Sequence, residues 1–330
     1  MHSEAPAGSP RSSADRLRVM GIRLRGLVVY LGFILIVLFF AATLRDKGFL
    51  EPNNFLNILR QTTMVSVMAM GTTFVLSAGE IDLSIGSTVA LSALTTAVLL
   101  RDGGSMFIAI PGGLAVGALV GLVNGVIVTK LRIPSFLVTL GMLGIVSGLA
   151  RDLTNLDPVP VTNTSYNFVF GSGDMGPIPT LVVWMLALLA VTHTVYRRTS
   201  FGRQVLATGG NRIAARYSGI STDRIRIAVL VISGLTAALA GMLYTGRLQG
   251  ARYSLGDQDL LTVIAAVVIG GTSMFGGRGS VVGAIIGSLI MGVLTNGLIL
   301  MGLSVSEQMI ARGIIIIVAV ALSLREAKEA

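Results

Sequence analysis

"MFIAIPGGLAVGALVGLVNGVIVT", residues 106–129, runs for 24 residues without a charged side chain. At about 1.5 Å of rise per residue, a helix of that length crosses the ~30 Å hydrocarbon core of a bilayer. Gly117, Gly121 and Gly125 recur every fourth residue, so they share one helix face on which a second backbone can approach closely. The stretch therefore reads as a transmembrane helix with a packing face. Nine comparable windows surround it, at 26–44, 57–79, 84–100, 135–150, 179–196, 227–246, 259–274, 281–301 and 308–323. Of the 330 residues 53% are hydrophobic and 12% charged, with a mean hydropathy of +0.81, a composition that could not cover the surface of a soluble domain. The expected fold is an all-α polytopic membrane protein of about ten transmembrane helices.

The formal charge of +9 does not point to nucleic acid, because the arginines lie between apolar spans rather than along an amphipathic face. Cysteine is absent and there are two histidines, so disulfides and thiolate metal sites are excluded and no metal centre is expected. Residues 1–25 read as a polar N-terminal tail, 26–323 as a single transmembrane domain and 324–330 as a C-terminal tail. The first apolar run is long enough to span a bilayer and no small-x-small cleavage site follows, so it reads as a retained helix rather than a signal peptide. Segment 197–226 carries seven arginines against Asp223 alone, whereas 151–178 holds Arg151 against Asp152, Asp157 and Asp174. The positive-inside rule then places 197–226 and both termini in the cytoplasm, although Arg45, Lys47, Arg247 and Arg252 count against it.

"GEIDL" at 79–83 returns as "GDQDL" at 256–260, and each half carries a glycine ladder: Gly117, Gly121 and Gly125 in one, Gly279, Gly283 and Gly287 in the other. The two motifs are five spans apart, an odd number, so spans 2–5 and 7–10 would form an inverted repeat. Glu80 and Asp82 would then lie toward the cytoplasm, Asp257 and Asp259 toward the outside. A short acidic turn recurring in a glycine-rich chain would look the same without common ancestry. A carboxylate at membrane depth costs ~2.5–3.5 kcal/mol on insertion scales, which points to a role for Asp82. It either caps the third span, with Ser84 helping, or lines a translocation path. Asn124, Asp259, Thr272, Ser273 and Asn296 are the other pathway candidates; for any single one of Asn124, Thr272, Ser273 and Asn296, interhelical glue is the more common role. Arg312 is expected to pair with Glu307 or to snorkel outward.

No catalytic constellation is present, and none of the three lysines follows a phosphate-loop glycine pattern, so the chain is expected to be non-enzymatic and not to bind ATP. In "YRRTSFGRQVLATGGNRIAARYSGISTDRIRIA", residues 196–228, the segment stops at "TGGN" and resumes as a short helix that ends at Gly219. Ser221 or Thr222 then caps the next span. The pattern "FGR…A.GGN..AA..SGI", together with "GEIDLSIGS", "LRIPSFLVTLGML" and "AAVVIGGTSMFGGRGSVVGAIIG", resembles the permease subunit of ribose-type ABC importers, from about Asn54 to Leu322. The resemblance implies that 202–219 is a coupling helix seated on a cytoplasmic ABC ATPase, which would hold the ATP and Mg. Gly209, Gly210, Asn211, Ala214, Ala215, Ser218 and Gly219 are the positions that match it, and Arg203, Arg212 and Arg216 offer charged contacts. It further implies a bacterial inner-membrane location, a periplasmic or external solute-binding protein, a second permease copy or paralogue, and alternating access for a monosaccharide or similar small polar solute. Contacts to membrane lipid follow from the location; nucleic acid is not an expected partner. Glu80 departs from the family pattern, which more often has a neutral residue there, so Asp82→Asn is expected to impair transport more than Glu80→Gln. A different class, an ion-coupled secondary transporter using Asp82 and Asp259, remains open on the residues alone.

Overall fold

The computed structural model describes residues 30–328, with side-chain environments through residue 317. The expected tail at 1–25 lies outside the described residues. Each of the ten apolar windows coincides with a helix: α1 (Tyr30–Thr43), α2 (Pro52–Ser77), α3 (Ile85–Arg101), α4 (Met106–Lys130), α5 (Ser135–Asp152), then, after a short α6 (Thr164–Asn167), α7 (Thr180–Arg198). Two small helices, α8 (Ser200–Gly210) and α9 (Arg212–Tyr217), precede α10 (Thr222–Leu248), α11 (Asp259–Ile269), α12 (Val281–Leu300) and α13 (Val305–Lys328). Five of these, α4, α5, α7, α10 and α12, are long and apolar enough to cross a membrane. The fold is all-α and polytopic, with strand pairing confined to two-residue pieces among the described residues.

Local chemistry sets the ends. Pro52 occupies the first turn of α2, where its missing N–H costs nothing, and Gly79 at φ +75° closes the other end in the left-handed conformation. The 11 residues of α11 rise only about 16 Å, half of a bilayer core. Gly270 and Gly271, the latter at φ +87°, end it at 269 instead of the expected 274.

Helix α10 lies at the centre, against α2, α3 and α4. The first glycine ladder faces it. A Cβ on Gly117 would strike the Gly234 carbonyl, one on Gly121 the Leu230 carbonyl, and one on Gly125 would come within 2.8 Å of the Ile227 Cα. The second ladder is shorter than expected. Gly283 and Gly287 press α12 onto Gly270 and Ala266, but Gly279 precedes the helix and sits between Ser77 and Tyr196. The 151–178 segment is a folded cap: β1 (Val159–Pro160) pairs with β4 (Gly250–Ala251), and β2 (Asp174–Met175) with β3 (Ile178–Pro179). Tyr166 donates to the Met242 carbonyl at 3.0 Å, fixing this cap to α10.

The breaks before α3 and α11 carry the two copies of the repeated motif. Each leaves a different end of the bundle, since Glu80 bonds to the arginine-rich segment whereas Tyr253 stacks under Arg151 beside the 151–178 cap. Their inner ends meet. A Cβ on Gly86 would lie 2.6 Å from the Gly256 carbonyl oxygen, and one on Gly256 2.6 Å from that of Gly86.

Candidate functional site: the break at 79–84 and its link to the basic surface

Residues 80–84 are non-helical backbone among apolar helices, where an unpaired N–H would be costly. Nearly every amide in the break finds a partner. Glu80 N donates to the Val75 carbonyl, Ile81 N to Ser135 Oγ at 3.0 Å, and Leu83 N to Thr139 Oγ1 at 3.0 Å. Ser135 and Thr139 stand one turn apart at the start of α5, inside "LRIPSFLVTLGML". The sequence reading missed their role, although two hydroxyls at i and i+4 on an apolar helix are a visible signal.

Asp82 is buried and its Oδ1 accepts from Ser84 N at 2.9 Å and Ser84 Oγ at 2.6 Å. Asn124 Nδ2 donates to the same Ser84 hydroxyl at 2.9 Å. The chain Asn124–Ser84–Asp82 thus sets the first turn of α3, for which Ser84 is the N-cap position. Asp82 bonds to Ser84 at the turn before α3, whose N-cap position has no side-chain cap bond, and Asn124 joins the same group. Asn124 Oδ1 and Ser233 Oγ are buried with no partner among the described residues.

Glu80 is the residue that sequence reasoning undervalued. Its carboxylate is 2% exposed and receives Arg226 Nε at 2.5 Å, Arg226 Nη2 at 3.3 Å and Arg212 Nη2 at 2.6 Å. Arg226 comes from the first turns of α10 and Arg212 opens α9. One carboxylate therefore joins the break to the surface helix and to the central helix.

The surface helix forms as its residues dictate. Asn211 Oδ1 accepts from Ala214 N at 3.0 Å, an N-cap that follows the Gly209–Gly210 stop, and Gly219 at φ +83° ends the turn. Asn211, Arg212, Ala214, Ser218 and Gly219 are exposed, as are Arg203 and Gly210, whereas Ala215 is buried. Gly209 faces inward. A Cβ there would collide with the Ser77 carbonyl, and Gly277 N donates to the same oxygen at 3.0 Å. Ile213 and Tyr217, spaced by four and 71% and 90% exposed, project from α9 and were not singled out in the sequence. An isoleucine and a tyrosine at that spacing in "RIAARYSGI" were the available signal.

The remaining candidates separate. Thr272 Oγ1 accepts from Ser280 N, and Ser273 Oγ from Phe275 N, so both shape the 271–280 loop beneath Gly209. Asn296 exchanges amide bonds with Asn54 at 2.8 and 3.1 Å, joining α12 to α2 as interhelical glue. Asp259 lines a small cavity of about 70 Å³ with Gln61, Thr62 and Arg312, and its Oδ2 accepts from Tyr244 Oη at 2.7 Å. Arg312 does not pair with Glu307, which is engaged by Ser304; it borders this cavity instead.

The family model for the branched-chain amino acid transport system / permease component matches residues 54–320. The chain belongs to this permease family. Its curated relatives include the ribose import permease protein RbsC of Bacillus subtilis, 38% identical over 298 residues, covering 90% of this chain and 92% of that one. RbsC of Escherichia coli strain K12 is 40% identical, covering 87% and 90%, and the L-arabinose ABC transporter permease protein AraH of Azospirillum brasilense 36% identical, covering 87% and 84%. Among solved structures, PsaBC from Streptococcus pneumoniae in complex with Fab covers 84% of this chain and 94% of its own at a TM-score of 0.46 and 16% identity, too distant to inform the fold.

Proposed function

We propose that this permease is the membrane subunit of an ATP-driven bacterial inner-membrane importer for a monosaccharide or similar small polar solute. Its relatives named for ribose and L-arabinose support the solute class. The observation that carries the mechanism is the Arg212–Glu80–Arg226 junction, which ties an exposed helix to the buried break that starts α3. A partner ATPase seated on α9 would displace Arg212, and the shared carboxylate would pass that displacement to the break and to α10. The chain itself performs no bond chemistry; ATP and Mg belong to the ATPase, and a binding protein delivers the solute on the opposite face. Two permease copies, or this chain and a paralogue, would enclose the path. Of the pathway candidates, Asp259 is best placed, because it borders a small cavity together with Gln61, Thr62 and Arg312.

The test is reconstitution of the chain in liposomes with the ATPase and binding protein encoded beside it. Uptake should require all three components and ATP, and Tyr217→Ala should remove most solute-stimulated ATP hydrolysis while leaving the binding protein's affinity for solute unchanged. Uptake by the chain alone against an ion gradient would establish the secondary-transporter reading instead.

A further inference from the structure

A cavity of about 1230 Å³ opens on the arginine-rich face, between the corner joining α4 to α5 and the start of α10. Lys130, Arg132, Arg212, Arg216, Arg224 and Arg226 line it, against two carboxylates, Glu80 and Asp223. Arg212 and Arg226 share the single charge of Glu80, and Asp223 lies 3.2 Å from Arg216. Lys130, Arg132 and Arg224 have no carboxylate within salt-bridge distance among the described residues. The positive-inside rule explains why such residues lie on one side of a membrane, but not why three cations without a carboxylate contact converge on one cavity.

The wall of the cavity adds a second observation. Ile133 and Phe136 line it, and the apolar surface continues along α5 through the exposed Leu137, Leu140 and Ile145. A polar, cationic basin that opens onto an apolar helix face at its edge matches an amphipathic anion. Arginine forks and a lysine ammonium suit phosphate oxygens, and basic pockets at the ends of membrane helices take lipid headgroups.

We propose that this basin binds a phosphate ester, with Lys130, Arg132 and Arg224 as its ligands. An anionic phospholipid of the same leaflet and a soluble phosphate compound share that chemistry, and the apolar wall favours the lipid. The site does not depend on an ATPase or a binding protein, so it stands or falls separately from the transport reading.

The full-length chain in nanodiscs of phosphatidylcholine, with and without phosphatidylglycerol, provides the test. Retained lipid is counted by mass spectrometry after re-extraction, and unfolding temperature is measured in parallel. The variant Lys130→Gln/Arg132→Gln/Arg224→Gln should retain roughly tenfold less phosphatidylglycerol than the unaltered chain and lose its stabilisation by that lipid. Arg197→Gln/Arg198→Gln, exposed on the same face but outside the basin, should behave as the unaltered chain, and Arg132→Lys/Arg224→Lys should recover most of the retention. Inorganic phosphate added in detergent without anionic lipid identifies the other source: stabilisation that depends on the three residues there, and no selectivity for phosphatidylglycerol in the nanodiscs, assigns the site to a soluble phosphate. Equal retention and equal stabilisation in the triple variant and the unaltered chain would overturn the proposal.

Discussion

Glu80 holds two guanidinium groups from inside the bundle, and replacing it leaves Arg226, whose side chain is 9% exposed, with only the exposed Asp223 carboxylate at 4.0 Å. Breaking a buried ion pair by removing one partner typically costs about 3–5 kcal/mol, so Glu80→Gln should lower unfolding stability by an amount near the bottom of that range, since the amide still accepts a bond. Combining it with Arg226→Gln should cost less than the two single changes added together, a coupling that denaturant unfolding in detergent would measure. Asp82→Asn should be milder, because the retained Oδ1 still accepts from Ser84 N and Oγ, and only the charge assistance is lost. Comparable or greater destabilisation by Asp82→Asn would refute that ranking, which concerns stability and stands beside the opposite order expected for transport. The reason lies in what each residue's neighbours in sequence reveal. Asp82 works with Ser84, two positions on, and is legible. Glu80 works with Arg226, 146 positions away, and no local pattern announces such a pair.

At the scale of the element, the long apolar helices were legible from length and composition, whereas α11 ends after 11 residues; Gly117, Gly121 and Gly125, spaced by four, do line one face of α4. What that spacing could not supply is the partner, α10. Gly117→Ala should therefore push α4 from α10 and cost about 1–3 kcal/mol as overpacking, measured by thermal unfolding in detergent. Gly141→Ala, on α5, should be neutral or slightly stabilising, because a Cβ there meets no heavy atom within 4 Å and glycine is a poor helix former. An equal loss in both variants would mean that the ladder acts through helix propensity rather than close approach. Gly279 shows where spacing alone fails: it continues the four-residue rhythm of Gly283 and Gly287, yet α12 begins at Val281 and Gly279 belongs to the preceding loop. The 151–178 cap escaped for a related reason. Its short pieces have no period, and Tyr166 is held by Met242 of α10 rather than by its own segment.

For the molecule as a whole, the consequence of the repeat lies where its two copies meet. Each break leaves a different end of the bundle, yet both arrive at the contact between Gly86 and Gly256, where either Cβ would lie 2.6 Å from the other's carbonyl oxygen. The sequence displays the paired motifs but not this contact, because it depends on how deeply each break re-enters the bundle. The alternating access proposed above would require the halves to move against each other about shared, closely packed points. The Gly86–Gly256 contact suits that role, since neither glycine carries a side chain to interlock and Gly256 holds φ +83°, which a larger residue rarely adopts. Gly86→Ala places its methyl against backbone that cannot rotate away, so it should wedge the halves apart while leaving the ends of the bundle, α9 and the 151–178 cap, intact. In liposomes containing the ATPase and binding protein, this variant should still assemble and hydrolyse ATP at its unstimulated rate. Solute uptake should fall by roughly tenfold or more, the consequence of raising one step of the cycle by about 1.4 kcal/mol, within the range of a core overpacking penalty. Normal uptake by Gly86→Ala would show that the halves do not need this close approach, and would move the pivot of the transport cycle to the Glu80 junction.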